Sequence, residues 1–312
     1  MQPTIMLTGL TGQLGSELWH SLQTLGRVVP CVHPAERQSF AFPAETLDLT
    51  DVAAIERLVL ELRPQLIVNP AAYTAVDKAE QDRDVADAVN HRAVAAFGRA
   101  ARSVGAAICH YSTDYVLSGS GDRPFAEDAV PAPLGVYGRT KLAGEYALKA
   151  AEVPHLILRT SWVYGAHGHN FVKTILRLAR EREELKIVDD QIGAPTSARF
   201  LSELSAQILA QAKGDFVGFI GRNSGIYHAV NGGEVSWHGF ATSIVREAAA
   251  LGVPLVTKRV IPIPTRDYPT PAERPRNSRL STAKVTERFG LVSPHWELSF
   301  KSLLPQIVAA TA

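Results

Sequence analysis

Tyr137 and Lys141 stand four positions apart in Tyr137-Gly138-Arg139-Thr140-Lys141. On a helix that spacing puts both side chains on one face, one turn above the other. A nearby ammonium favours the phenolate, so the pair predicts a tyrosine whose pKa falls towards the working pH and which can give or take a proton. The same spacing is common by chance, and a surface pair is its plain alternative. Position argues for chemistry: Ser112-Thr113-Asp114-Tyr115 lies just upstream, and the chain opens with a glycine-rich stretch.

The elements that must carry these residues can be read in order. Thr4 to Thr8 reads as a buried strand, followed by Gly9-Leu10-Thr11-Gly12-Gln13-Leu14-Gly15 and a helix with Glu17, Leu18, Leu22 and Leu25 on one face. Glycines in a strand-to-helix turn let the backbone fold back tightly and let a pyrophosphate approach the amides of the helix N-terminus. Arg27 to His33 predicts a second strand, and the end of that strand chooses between dinucleotides: an acid takes the ribose 2′-hydroxyl, basic residues a 2′-phosphate. His33 and Arg37, with Glu36 between them, lean towards NADPH; a solvated loop charge is the other reading of Arg37.

Leu47 to Leu49 predicts a short strand, with Thr50 or Asp51 capping a helix that carries Ile55, Leu58, Val59 and Leu62. Pro64 to Asn69 follows as a buried strand. Ala71-Ala72-Tyr73 lies at its carboxyl end, where open α/β sheets hold their ligands. A long helix is expected over Ala86 to Val104 with Asn90 buried in it, then a strand at Ala107 to Tyr111, the helix of Tyr137 and Lys141, and a sixth strand at Leu156 to Arg159. This alternation predicts an α/β fold: a Rossmann-type, doubly wound parallel sheet. Beyond it the pattern loosens into a smaller mixed C-terminal region. Helices are expected at Phe171 to Glu181, Ala198 to Lys213 and Trp237 to Leu251, strands at Lys186 to Val188 and Ile226 to Val230, and a last amphipathic piece carries Leu298, Leu303, Leu304 and Ile307. The proline-rich run from Pro262 to Pro275 excludes regular helix there. The expected division is a cofactor-binding unit over 1–160, with returning segments at about 197–231, interleaved with a mainly substrate-binding region over 161–312.

Composition sets the limits. The 312 residues carry 32 basic and 31 acidic side chains, a formal net charge of +1, which argues against a nucleic-acid partner. No apolar run approaches a membrane span, and the N-terminus lacks a secretory pattern. Cys31 and Cys109 both fall in expected buried strands and read as small core residues of a reducing compartment, so a cytoplasmic protein is expected. His110 and His228 have no partner pattern and read as structural.

Taken in order, eight stretches resemble the extended short-chain dehydrogenase/reductase superfamily and, within it, the reductases that complete dTDP-L-rhamnose synthesis. They are Gly9–Gly15, Asn69–Glu80, Ser112–Val116, Tyr137–Glu145, Arg159–Tyr164, Asn170–Leu176, Asp190–Thr196 and Pro271–Leu280. Each is modest alone; the ordered set runs nearly end to end and is specific. Arg159–Tyr164 and Asp190–Thr196 separate this family from sugar epimerases and dehydratases of the same fold. Pro70 stands where an alanine is usual. Some members dimerise around a metal held by acidic side chains. Glu17 matches one of these acids, but Arg199 and Gln306 stand where the others are expected, so the resemblance implies no such metal here and a monomer or weak homodimer.

The resemblance implies hydride transfer from NADPH, with NADH as an alternative donor, to the C4 ketone of dTDP-4-dehydro-6-deoxy-L-mannose, a dTDP-linked 4-keto-6-deoxy sugar. It implies Tyr137 as proton donor, Lys141 on the nicotinamide ribose lowering the Tyr137 pKa, and Thr113 on the reacting oxygen. Gly9, Gly12, Gln13, Leu14 and Gly15 would wrap the pyrophosphate, Asp48 and Leu49 would meet the adenine, and Ala71, Ala72 and Tyr73 the nicotinamide half. Val76, Asp114, Tyr115, Trp162, Asn170 and Arg274 would meet the sugar nucleotide, Trp162 as an apolar wall and Arg274 as a partner for the diphosphate. A salt bridge pinning the proline-rich segment is the other reading of Arg274. Two rival functions remain open: reduction of another nucleotide-bound 4-keto sugar, and a non-catalytic NADP-binding regulatory subunit, against which the intact Thr113, Tyr137 and Lys141 argue.

Overall fold

The computed structural model describes residues 2–39 and 42–311. Its first half alternates strand and helix: β1 (Thr4–Leu7), α1 (Gln13–Ser21), β2 (Arg27–Val32), β3 (Glu45–Thr46), α2 (Val52–Leu62), β4 (Leu66–Asn69), α3 (Val76–Ala79), α4 (Arg83–Asp87), α5 (Ala93–Val104), β5 (Ala107–Thr113), α6 (Val136–Ala150) and β6 (His155–Thr160). The second half runs β7 (Val163–Tyr164), α7 (Phe171–Glu181), β8 (Glu184–Val188), β9 (Ile192–Gly193), β10 (Thr196–Ser197), α8 (Ala198–Ala210), α9 (Phe216–Asn223), β11 (Gly225–His228), β12 (Val235–Ser236), α10 (Trp237–Ala250), β13 (Arg259–Ile263), α11 (Ala283–Phe289) and α12 (Trp296–Ala309).

Seven strands form one parallel sheet in the order β11-β6-β5-β4-β1-β2-β3. Chain order reverses between β1 and β4, which opens a crevice at their carboxyl ends. Successive side chains of a strand point to opposite faces, and both faces here are covered. Ile5, Leu7, Leu66, Val68, Leu156 and Leu158 pack under α1, α8 and α9, while Met6, Ile67, Ile108 and Ile157 pack under α2 and α5. The strands therefore read as continuous apolar runs, as a doubly wound sheet requires. A third core, built on Tyr164, Phe240, Trp296 and Phe300, joins α7, α10 and α12 in the C-terminal region. There β13 pairs with β8, and β12 with β9.

Several boundaries differ from expectation. The strand expected at Leu47 to Leu49 lies at Glu45–Thr46, because β3 pairs with only the last two residues of β2. Asp51 is the cap, accepting from the Ala54 amide at 2.9 Å. α1 ends at Ser21, leaving Leu22 and Leu25 beyond it. The long helix expected from Ala86 begins at Arg83 and is interrupted by a π-helical turn over Ala88–Arg92. α9 and α11 were not anticipated, both being short. Leu298 is 64% exposed, off the buried face of α12.

Candidate active site

The crevice between β1 and β4 begins as a tight backbone joint. Gly9 has φ +59°, and a Cβ there would lie 2.9 Å from the Ala71 Cβ at the end of β4. A Cβ on Gly15 would lie 1.9 Å from the Gly9 carbonyl oxygen, so α1 rests directly on the turn that precedes it. No side chain caps α1 at Gly12, which leaves first-turn amides free for an anion. From this cradle a cavity of about 810 Å³ extends across the sheet, within the range of ligand sites. Gly9, Gly12, Gln13, Leu14, Gly15, His33, Asp48, Leu49, Ala71 and Ala72 line it.

Arg37 and Tyr73 fall outside the lining. Tyr73 turns away to donate to Asp82 Oδ2 at 2.9 Å, while its backbone exchanges two hydrogen bonds with the Asn90 amide. At the end of β2 the cavity meets Glu36, not Arg37, alongside His33. Thr11 Oγ1 donates to Glu36 Oε2 at 2.9 Å, tying that carboxylate to the glycine turn. His33 Nε2 is 3.8 Å from Asp48 Oδ2. Asp48 accepts from the Thr50 amide and hydroxyl, both at 2.8 Å, and these bonds hold its carboxyl below the usual range.

Thr113, Tyr137 and Lys141 meet in the same cavity. β5 delivers Thr113 at its carboxyl end, where the hydroxyl donates to Asp114 Oδ1 at 3.0 Å and accepts from the Tyr115 amide at 3.2 Å. α6 delivers the other two. It can approach because a Cβ on Gly138 would sit 2.2 Å from the Tyr115 carbonyl oxygen. Tyr137 packs edge-on against Tyr115, ring centroids 5.5 Å apart. The effect expected of Lys141 on Tyr137 is not what the structure shows. Lys141 Nζ donates to the Tyr111 carbonyl at 2.6 Å and lies 3.5 Å from His110 Nε2, so its bonds run into the sheet and not to the phenol. Burial pushes the Tyr137 phenol well above its usual value, opposed in part by the nearby Thr113 hydroxyl. Burial also pushes Lys141 down to about 8, with the Glu145 charge opposing. His110, read from sequence as structural, is thus a neighbour of the lysine. Its own position on β5, two residues before Ser112, was the available signal.

On the far side of Tyr137, Val76, Asp114, Tyr115 and Trp162 line the cavity. Burial raises Asp114 to about 6, with Ser278 and Thr113 opposing. Asp114 Oδ2 and Ser278 Oγ are nevertheless both buried without a formed hydrogen bond. Asn170 and Arg274 do not reach the cavity. Asn170 caps α7 through the Lys173 amide at 3.1 Å and donates to the Gly165 carbonyl at 2.8 Å and Gln13 Oε1 at 3.1 Å. Arg274 pairs with Asp77 at 2.5 Å and donates to the Tyr115 hydroxyl at 3.2 Å, so it pins the proline-rich segment beside the site. Thr160, Ser161 and His169 also line the cavity and were missed; Thr160 ends β6 and Ser161 follows it, where a strand-end rule would have found them. Elsewhere, Arg199 Nε lies 3.6 Å from Glu17 Oε2 and its guanidinium also bonds Gln306.

Residues 3–308 match the family described as RmlD substrate binding domain. The chain is 44% identical to the dTDP-4-dehydrorhamnose reductase of Escherichia coli (strain K12), over 99% of each. It is 43% identical to that of Burkholderia thailandensis, covering 97% of this chain and 99% of the other. Among solved structures, a dTDP-4-dehydrorhamnose reductase from Clostridium acetobutylicum superposes with a TM-score of 0.85 at 34% identity, covering 98% and 99% of the two chains. One from Bacillus anthracis, in complex with NADP, also gives 0.85, at 32% identity and 98% and 100% coverage.

Proposed function

The chain belongs to the RmlD family with the dTDP-4-dehydrorhamnose reductases, and on that premise we propose that it reduces the C4 ketone of dTDP-4-dehydro-6-deoxy-L-mannose to dTDP-L-rhamnose, with NADPH as reductant. The observation that carries the reading is the meeting of Thr113, Tyr137 and Lys141 in one cavity with the glycine turn. Gly9 through Gly15 and the amides of α1 fit a pyrophosphate, because no side chain caps the first turn of α1.

The bound dinucleotide supplies the hydride; the chain supplies position and a proton. Ala71 and Ala72 leave the floor of the crevice low enough for a flat ring to lie against the backbone. Thr113 holds the ketone oxygen within reach of Tyr137. As the carbon accepts the hydride, negative charge grows on that oxygen, and Tyr137 gives it the phenol proton. A phenol kept neutral by burial suits this role, since it holds its proton until the strongly basic alkoxide forms. Lys141, held by the Tyr111 carbonyl beside the site, would reach the nicotinamide ribose and, when charged, would steady the phenolate through space. Proton donation of this kind contributes about 10²–10⁴-fold, and alignment a further share. Val76, Asp114, Tyr115 and Trp162 meet the sugar, while Asn170 and Arg274 act by holding Gln13 and Tyr115.

Residues 1–160 with 197–231 form the cofactor unit in this reading, and the remainder mainly the substrate unit. Two buried free thiols suit a cytoplasmic setting; among the described residues no helix is long and apolar enough to cross a membrane. The Arg199 guanidinium between Glu17 and Gln306 supplies positive charge where an acid-held cation would sit, which supports a metal-free monomer or weak homodimer. The decisive experiment mixes purified protein with NADPH and the 4-keto nucleotide sugar. Loss of nicotinamide absorbance with formation of dTDP-L-rhamnose is expected; no loss with this sugar would overturn the assignment.

A further inference from the structure

Among the described residues only four other than glycine have a left-handed backbone: Arg63, Glu152, Trp162 and Lys213. Three of them follow the ends of α2, α6 and α8, where such a residue stops a helix. Trp162 does not. It lies two residues past β6, on the cavity wall, with φ +51°. A bulky aromatic side chain at that backbone angle is unusual and persists only where its surroundings hold it.

Those surroundings are visible. The Trp162 indole stacks on that of Trp237, ring centroids 3.5 Å apart and planes 11° from parallel. Trp237 is the first residue of α10 and leans on Phe171 at 4.5 Å. Gly193 of β9 also touches the Trp162 ring, where a Cβ would lie 2.8 Å from Cε2. The Thr196 amide donates to the Trp162 carbonyl at 3.2 Å. β9 pairs with β12, and β12 runs straight into α10, so the strand that touches the ring and the helix that stacks on it are one frame. Trp162 follows the main sheet; Trp237 belongs to the C-terminal core, where Phe171 and Phe240 stack in turn.

We infer that Trp237 is a specificity-determining positioning residue: it lies outside the cavity and acts by fixing the plane of Trp162, the wall that faces the sugar. An indole face suits the C–H face of a pyranose and a deoxy methyl group. A ring free to leave its plane no longer sets which carbon faces Tyr137 and Thr113. The inference rests on the proposed role of Trp162 at the sugar, and the experiment separates the two.

Steady-state kinetics with the nucleotide sugar and NADPH are compared for wild type, Trp162→Ala, Trp237→Ala, Trp237→Leu and Trp237→Phe. NADPH affinity is measured by titration, and near-UV circular dichroism reports the coupled indole pair. Trp237→Ala is expected to raise the sugar KM about tenfold, with NADPH affinity unchanged within about twofold. The coupled signal disappears, and Trp237→Phe restores most of the KM without restoring that signal. If the alanine variant does not fold, Trp237→Leu keeps apolar volume without the stacking plane and decides the same question. A wild-type sugar KM in Trp237→Ala or Trp237→Leu, beside a raised KM in Trp162→Ala, would overturn the role of Trp237 and leave that of Trp162 standing. An unchanged KM in Trp162→Ala would overturn both.

Discussion

At the residue scale, Tyr137 and Lys141 differ from what their spacing promised. They share a helix face and a cavity, yet the lysine is held by the Tyr111 carbonyl and burial keeps the phenol protonated. Tyr137→Phe should therefore lower turnover by at least about 10²-fold while leaving NADPH affinity nearly intact; normal turnover would remove Tyr137 as the acid. Lys141 makes a prediction about pH. Burial lowers its folded-state value from 10.5 to about 8, so the unfolded chain binds the extra proton between those values. Stability of the free protein then rises with pH across that window, and the penalty is full below about 8. Lys141→Met should flatten the rise and stabilise the free protein at pH 7 by about 1–3 kcal/mol. Equal pH slopes in thermal unfolding of the two proteins would contradict this. Glu36 takes the place at the cavity that Arg37 was expected to share with His33. A carboxylate there favours a ribose hydroxyl over a phosphate, so Glu36→Gln should shift the ratio of kcat/KM values towards NADPH over NADH by roughly three- to tenfold. An unchanged ratio would exclude Glu36 from cofactor choice.

At the scale of elements, what the sequence made legible was what periodicity and strand-end position can carry. Apolar runs found the central strands because both sheet faces are buried. Gly9 to Gly15 found the cradle because a turn this tight needs glycine. β3 was misplaced because two residues contain no period, and α9 was missed because it is short and follows a loop. Arg37 and Glu36 could not be told apart, since the 3₁₀ turn over Pro34–Ser39 decides which of two neighbours faces inward. Trp237 lies far along the chain from Trp162, and no local pattern joins them. The π-helical turn was also invisible, although Asn90 was read as buried; there it bonds Tyr73 and Thr140. A Cβ on Gly144 of α6 would lie 2.2 Å from the Asn90 carbonyl oxygen. Gly144→Ala should thus push α6 off that turn, costing about 1–3 kcal/mol and lowering kcat because the same helix carries Tyr137 and Lys141. A melting temperature and kcat equal to wild type would show that the contact has slack.

At the scale of the molecule, one buried ion pair joins three elements behind the site. Arg159 of β6 and Glu145 of α6 are 1% and 0% exposed and meet through two bonds of 2.9 and 2.7 Å, while Ser112 of β5 donates to the same carboxylate at 2.6 Å. Removing one partner leaves a buried charge uncompensated, so Glu145→Gln should cost about 3–5 kcal/mol in chemical denaturation. The double variant Glu145→Leu/Arg159→Met should lose less than that single one. If it loses more, the charges themselves contribute net stability.

The order of the sheet bears on how the protein is made. β11 pairs with β6, yet the chain between them includes much of the C-terminal region. A nascent chain emerging from the ribosome must therefore carry β6 as an open, apolar edge while that region is translated, a wait of several seconds at ordinary elongation rates. Such an edge can template pairing with another chain. The C-terminal half supplies the outermost strand of the sheet, so a stalled or truncated polypeptide ending before Gly225 presents the cell with a sticky intermediate and not a smaller working domain.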